Sequence, residues 1–393
     1  MNGGKQSAMR LVVFGMMGRC PFGGQTWLSL NWVRGFQQLG HDVWYVEDDT
    51  TWPYDPVKRT LTDDCSYAVE HIAGCMKRSH LPSNWAFRFG GRHGRCWGLS
   101  NRQLDDLYRS CDALFTFGTA ELRDEHLAAP LRIHIESDPV MSQLRLASGD
   151  ARTRHAFDNH HRIFSYGENY GAPDCGVPLC NIDYGTTRQP IDLNFWTFHF
   201  TPEARFVTTI GNYRQDGNDI AFKGDTYRWS KHYEWIKFMD LPRRTRQEFE
   251  LGVFPDDRED RERLTSSGWR LVSPYQMSLD AFGAYPAFIR NSRAEFTVAK
   301  DQNVRLRSGW FSERDACYLA SGKPVIAQDT GFANILPTGD GLFAVSTTDE
   351  AVAAIEAING NYERHCHAAR AIAEEHFEAS SVAGRLLDQL SFR

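Results

Sequence analysis

Short apolar runs bounded by polar residues and glycine alternate with longer stretches of helical period along almost the whole chain. In the first half the runs Leu11–Gly15, Asp42–Val46, Ala113–Phe117, Arg132–Ile135 and Arg162–Tyr166 are short and rich in Val, Ile and Phe. Continuous apolar runs of that length predict strands buried on both faces. Between the first two lies Gly24–Leu39, a helical pattern stopped by Gly40. Strand, glycine-rich loop, helix, glycine stop and strand make a βαβ unit.

The pattern breaks at Gly185–Asn194, which has turn-formers and little periodicity and reads as a linker. A second series of runs follows: Phe206–Ile210, Phe249–Val253, Arg270–Val272, Ala294–Ala299, Pro324–Gln328 and Leu342–Val345. Helical stretches separate them, notably Leu279–Arg290 and Glu313–Ala320, and the Ala-rich tail Glu350–Leu390 is helical in pattern throughout. Alternating strands and helices imply parallel sheets covered on both faces. The expected organisation is a first α/β domain over residues 1–188, a linker at 189–200 and a second α/β domain over 201–393, whose last helices return to the first. Two Rossmann-like domains would then face one another across a cleft. Asp48–Asn101, rich in Trp, Pro, Arg and His, has no clear place in this scheme.

Composition narrows the function. At 393 residues the chain is long enough for two or three domains. Its net charge of −6 offers no basic excess for nucleic acid. No apolar run approaches the roughly 18–20 residues that span a bilayer, and the first residues show no leader pattern. Nine scattered cysteines suggest neither a disulfide framework nor a zinc site, so a reduced, cytoplasmic protein is expected. The spacing Cys175–Cys180 and the run His365-Cys366-His367 lack the partners of a metal site, and no metal is expected.

In open parallel sheets, ligands bind beyond the carboxyl ends of strands. Four loops there carry candidate chemistry. The first, after the first strand, contains Gly15, Gly18, Gly23 and Gly24; it suits close approach of an anion or acceptor, or is simply a tight turn. It departs from G-x-G-x-x-G, which disfavours a nicotinamide cofactor. The second, Glu136-Ser137-Asp138-Pro139, sets two carboxylates at a strand end, for general-base work or hydroxyl recognition, or as a helix cap. Pro139 restricts the backbone of Asp138, the better candidate base. The third, with Ser273 and Tyr275, offers backbone and an aromatic face to a nucleotide base, or is an ordinary loop. The fourth runs from Arg305 to Gly331. Arg305, Arg307, Ser308 and Ser312 beside a helix N-terminus suit a diphosphate, with Asp315 one turn further in for ribose hydroxyls.

This fourth segment resembles the donor-binding signature of the GT-B glycosyltransferases that use nucleotide sugars. The matching positions are Gly309-Trp310, Ser312, Asp315 and Ala320-Ser321-Gly322-Lys323-Pro324-Val325. Asp329-Thr330-Gly331 resembles the donor-sugar contacts of those families, and Pro21–Gly24 with Leu39–Val43 resembles the opening of their acceptor domain. The resemblance implies a GT-B fold, and an enzyme that moves a sugar from a nucleoside-diphosphate sugar to an acceptor hydroxyl on a small molecule, natural product or glycan. It implies no resident cofactor and no metal. Cys317 stands where retaining members often carry Glu, and Arg19 and Cys20 lie where inverting members carry a catalytic His. Those departures leave two alternatives open: a non-catalytic relative, or a sugar-nucleotide epimerase of the same fold.

Overall fold

The structure is a computed structural model that describes residues 8–117, 121–255 and 257–390; residues 1–7, part of the stretch without a leader pattern, lie outside it. The first half holds β1 (Arg10–Phe14), β2 (Asp42–Asp49), β3 (Tyr54–Asp55), β4 (Thr60–Leu61), β5 (Trp85–Phe89), β6 (Arg95–Trp97), β7 (Ala113–Phe117), β8 (Arg132–Glu136), β9 (Arg162–Ser165) and β10 (Tyr184–Thr186). β3 and β4 form a small hairpin, and the others make one sheet in the order β10-β9-β8-β7-β1-β2-β5-β6. Every pairing in that sheet is parallel except β6 on β5. The central strand Leu11-Val12-Val13-Phe14 is buried throughout, as a strand covered on both faces must be.

The second half holds β11 (Phe206–Ile210), β12 (Ile220–Phe222), β13 (Asp225–Tyr227), β14 (Glu248–Gly252), β15 (Arg270–Val272), β16 (Ala294–Thr297), β17 (Val325–Gln328) and β18 (Leu342–Val345). Six of them form a parallel sheet in the order β15-β14-β11-β16-β17-β18. Strand order reverses between β11 and β16, so the crevice at their carboxyl ends is the topological switch point, where such sheets take ligands. The first sheet has its own reversal at β1 and β7.

Several expectations shift in detail. Gly185 and Thr186, expected in the linker, belong to edge strand β10. The helix expected at Leu279–Arg290 begins only at Ala284, after a separate short helix Tyr275–Leu279, because the Asp280 carboxylate accepts the N–H groups of Gly283 and Ala284 at 2.9 Å each and starts a new helix there. The tail is three helices, Thr348–Gly360, Tyr362–His376 and Ala379–Leu390. Asp48–Asn101 supplies the end of β2, the β3–β4 hairpin, the helix Ser66–Arg78, β5 and β6.

The halves are joined at several places. The Ala379–Leu390 helix packs on the Gly23–Gln38 helix of the first half. Gly35 permits that contact, since a Cβ there would lie 2.7 Å from the Ala379 carbonyl oxygen. The β12–β13 hairpin lies across the first half: Tyr227 and Leu306 share an apolar cluster with Val140, Leu144 and Val177. Trp27 Nε1 donates to the Ala281 carbonyl at 2.6 Å, and the Tyr54 and Tyr275 hydroxyls meet at 3.0 Å.

Candidate functional site

The β11–β16 crevice is bridged by one guanidinium. Arg314, in the first turn of the Glu313–Ala320 helix, donates from Nη1 to the Ile210 carbonyl at 3.0 Å and from Nη2 to Thr297 Oγ1 at 2.6 Å. Its Nε donates to the buried Glu295 carboxylate at 2.5 Å, and Nη2 also reaches Asp315 at 3.2 Å. Both walls and the floor therefore hold it in place. Ser312, the N-cap of the same helix, makes no side-chain capping bond, so the helix N-terminus presents unsatisfied N–H groups beside a fixed cation.

Two lysines join Arg314. Lys300, just past β16, is buried; its Nζ pairs with Asp138 of the first half and lies 3.0 Å from the centroid of the Trp229 ring. Burial pushes its pKa down against the pull of Asp138. Lys231, carried in by the segment after the β12–β13 hairpin, has its Nζ 5.3 Å from the Trp310 ring centroid. Burial lowers the Lys231 pKa to about 7, and Arg314 adds repulsion. Cations held below their ordinary pKa gain most from an incoming anion.

Across the cleft, Ser137 and Asp138 touch this group directly: Trp310 Nε1 donates to the Ser137 carbonyl at 3.0 Å. Glu136 lies deeper, only 4% exposed. Its Oε2 accepts from Gln143 Nε2 at 2.6 Å and from Ser165 Oγ at 3.3 Å, while its Oε1 has no hydrogen-bond partner. Burial raises the Glu136 pKa to about 7 despite those donors. Both carboxylates line a cavity of about 590 Å³ that also meets His134, Ser142, Arg145 and Arg152.

The structure brings some expected residues to this site and places others elsewhere. Ser312, Asp315, Glu136 and Asp138 lie at the cleft. Arg307, expected at the diphosphate, donates to Asp174 at 2.7 Å and to Asp329 at 2.9 Å, with its backbone in the left-handed region at φ 49°. Arg305 pairs with Asp225 at 3.0 Å and lies over the Tyr227 ring at 4.4 Å, bracing the hairpin. Both guanidinia are engaged by carboxylates, although about a third of each side chain stays exposed. Arg307→Ala is therefore expected to leave nucleoside-diphosphate affinity within about threefold while lowering the thermal midpoint; calorimetry and a melting curve check both.

Ser308, Gly309 and Thr330 form the turn beneath Trp310. Ser308 Oγ donates to Asn303 at 2.8 Å, Gly309 N donates to the Thr330 carbonyl at 2.7 Å, and Thr330 Oγ1 donates to the Trp310 carbonyl at 2.5 Å. Gly309 is required there, since at φ +82° a Cβ would lie 2.4 Å from Asn169 N. Asp329 accepts from Gly331 N at 2.8 Å besides Arg307. Tyr275, expected to offer its face to a base, donates to the Pro56 carbonyl at 2.8 Å, and the Arg59 guanidinium lies 4.9 Å from its ring centroid. Ser273 is exposed beside it.

The loop after β1 is filled by the chain itself. Glu47 accepts from Gly18 N at 2.5 Å and Arg19 N at 3.0 Å, and the Tyr45 hydroxyl accepts from Met17 N at 2.8 Å. A Cβ at Gly15 would meet Ser29 and Tyr45, one at Gly18 would meet Ile72, and one at Gly23 would meet the Tyr285 ring. These glycines serve close packing, and only Gly24 is exposed. A buried Glu47 carboxylate already occupies the amides expected to take an anion.

Sequence reading singled out none of Lys231, Lys300 and Arg314. The available signal was position: Lys300 follows the fourth run of the second half, at a strand's carboxyl end. A separate cluster, Asp48, Glu125 and His126, brings ligand-type atoms together. Arg88 and Arg123 already pair with Asp48, and His126 Nε2 lies 2.9 Å from it, so this is a buried ion-pair network.

Two doubly wound domains whose strand ends meet around one cleft define the class of two-domain Rossmann-like proteins. The particular arrangement is the GT-B fold, as comparison with solved structures shows. Anabaena HepE in complex with UDP-glucose aligns over 98% of this chain and 99% of its own, with a TM-score of 0.57 and 12% identity. An α-glucosyltransferase in complex with UDP and DNA aligns over 98% and 100%, with a TM-score of 0.59 and 11% identity. Sucrose-phosphate synthase from Thermosynechococcus elongatus aligns over 97% and 99%, with a TM-score of 0.52 and 11% identity. No protein-family model matches the chain, and no curated protein does. No helix among the described residues is long and apolar enough to cross a membrane.

Proposed function

We propose that this chain is a glycosyltransferase that moves a sugar from a nucleoside-diphosphate sugar to an acceptor hydroxyl. The observation that carries the reading is the cluster of Arg314, Lys300 and Lys231 at the switch point of the second domain, beside an uncapped helix N-terminus. The leaving group of such a donor is a diphosphate, and cations fixed where its charge develops lower the barrier without reorganising. HepE and the α-glucosyltransferase, with UDP bound, share the fold and support a uridine nucleotide as the first donor to try. The three side chains supply positive charge of the kind a divalent ion supplies in other transferases, which supports metal-independent transfer with no resident cofactor. The acceptor hydroxyl enters from the first domain, where Glu136 or Asp138 accepts its proton. Nine free thiols support a reducing compartment, the cytoplasm.

The test is titration of the purified chain with uridine, guanosine and adenosine diphosphates, followed by transfer assays with the matching sugars and with chelator present. Absence of binding to every nucleotide would overturn the reading. Hydrolysis or epimerisation of donor without transfer would favour the other enzyme classes. Binding should also take up a proton. Lys231, near pKa 7, is largely neutral at pH 8, and a bound diphosphate raises its pKa and charges it. Calorimetry at pH 8 in buffers of different ionisation enthalpy should show uptake of up to about one proton per site. The uptake should be smaller at pH 6, where Lys231 is already charged; equal values at both pH values would exclude Lys231.

A further inference from the structure

We propose that the acceptor is a neutral, hydroxyl-rich carbohydrate seated in the cavity beside Glu136 and Asp138. This inference rests on the transferase reading above and adds the class of acceptor. The cavity, about 590 Å³, has the size of a small-ligand site. Its lining includes Ser137 and Asp138, which contact Trp310 and Lys300 of the second half.

Its lining decides what fits. Two carboxylate oxygens at its edge are buried and unpartnered, Glu136 Oε1 and Asp138 Oδ1. Neither has a donor in hydrogen-bonding geometry, the Ser142 hydroxyl lying beside the Glu136 carboxyl, and a buried polar atom left in that state costs free energy until a ligand donates to it. Hydroxyl groups are donors of the right kind. An anionic acceptor would instead meet these carboxylates with its own charge.

The positive groups do not reverse that balance. Arg152 pairs with Glu121 on the rim, and Asp150 stands near both Arg145 and Arg152, the two arginines of the lining. Lys300 faces Asp138 from the donor side. His134 is buried, its pKa held well below the ordinary value by that burial, so it is a neutral imidazole. Charges of both signs therefore alternate without cationic excess, which disfavours a phosphorylated or carboxylated acceptor.

Apolar acceptors fit no better. Among the described residues, Ala156 and Phe157 are the apolar lining residues, and both are buried in the helix Ala151–Asp158, so they offer little face to a flat aglycone or an acyl chain. Alternating carboxylates, guanidinia and the hydroxyls of Ser142 and Thr153 instead match a ligand with donors and acceptors on every side.

The experiment measures acceptor binding and donor binding separately. Saturation-transfer NMR without donor should show neutral mono- and disaccharides bound, with uronic acids, sugar phosphates, phenols and alkyl alcohols giving no signal. Ser142→Phe, which fills the cavity, should weaken saccharide binding about tenfold or more and leave nucleoside-diphosphate affinity unchanged. With donor present, the saccharides that bind should be the ones glycosylated. Normal diphosphate binding with phenols, lipids or anionic sugars as the preferred acceptors would overturn the inference and leave the transferase reading intact. So would saccharide binding that Ser142→Phe does not change. Failure to bind any diphosphate would instead overturn the transferase reading.

Discussion

Lys300→Ala is expected to weaken nucleoside-diphosphate binding by about ten- to a hundredfold. A charge-assisted hydrogen bond contributes about 1.5–3 kcal/mol, and about 1.4 kcal/mol is a factor of ten in affinity. Lys300 sits at the carboxyl end of β16, on one wall of the switch-point crevice, and is almost fully buried. Its ammonium pairs with Asp138 and lies over Trp229. A diphosphate replaces a single carboxylate with several anionic oxygens, so the lysine contributes more to the bound state than to the free one. The control is Arg305→Ala, which removes a guanidinium of the same segment that is engaged with Asp225 and Tyr227. Calorimetric titration of both variants separates the two placements. Loss of affinity in Arg305→Ala with none in Lys300→Ala would show that the diphosphate lies at the first arginines of the segment.

Glu136→Gln is expected to slow transfer by about a hundred- to ten-thousandfold, the range for a general base, with donor affinity unchanged. The substitution keeps the side chain's shape and its bond with Ser165 but removes basicity. As a base, Glu136 would take the acceptor proton in its ionised form, and burial sets its pKa at about 7. The wild-type rate should therefore rise from pH 6 to pH 8 and level off above, and the variant should lose that limb. Stability moves in the opposite direction. A carboxyl whose folded pKa is raised contributes stability that is fully present below its unfolded value near 4.5 and lost as pH rises through about 7. Chemical denaturation between pH 5 and 8 should accordingly show a shallower decline in Glu136→Gln than in the wild type. A variant that retains the rate to within a few-fold would move the base to Asp138, whose Asp138→Asn counterpart is the next measurement.

Much of the architecture was legible because buried parallel strands announce themselves. Ala113–Phe117, Phe206–Ile210, Arg270–Val272 and Leu342–Val345 have the same limits in sequence and structure. Ends were less legible where a side chain decided them: Asp280 moves the start of the helix expected at Leu279 to Ala284. The site was legible by place and not by residue. Glu136, Asp138, Ser312 and Asp315 lie where strand-end logic puts them. Which cation lies at the crevice depends on contacts that are remote in sequence. Arg307 is drawn to Asp174 of the first half and to Asp329, whereas Arg314, also paired with carboxylates, bridges Ile210 and Thr297 on the two strands of the switch point. The Gly18 loop shows the same limit, because Glu47 fills the amides that composition leaves open.

The docking of Ala379–Leu390 onto Gly23–Gln38 makes the first domain discontinuous in the chain. Ile191 N donates to the Phe377 carbonyl at 2.7 Å and Ala379 N donates to the Ile191 carbonyl at 3.1 Å, so the crossing back is stitched where the chain first leaves that domain. Val382, Ala383, Leu386 and Leu387 are buried on arrival. During synthesis the first sheet must wait, with that helical face bare, until the second domain has left the ribosome. A cut at residue 200 would thus not yield two independent proteins. It would yield a first domain missing one of its own helices and a second domain carrying an apolar helix with nothing to cover it.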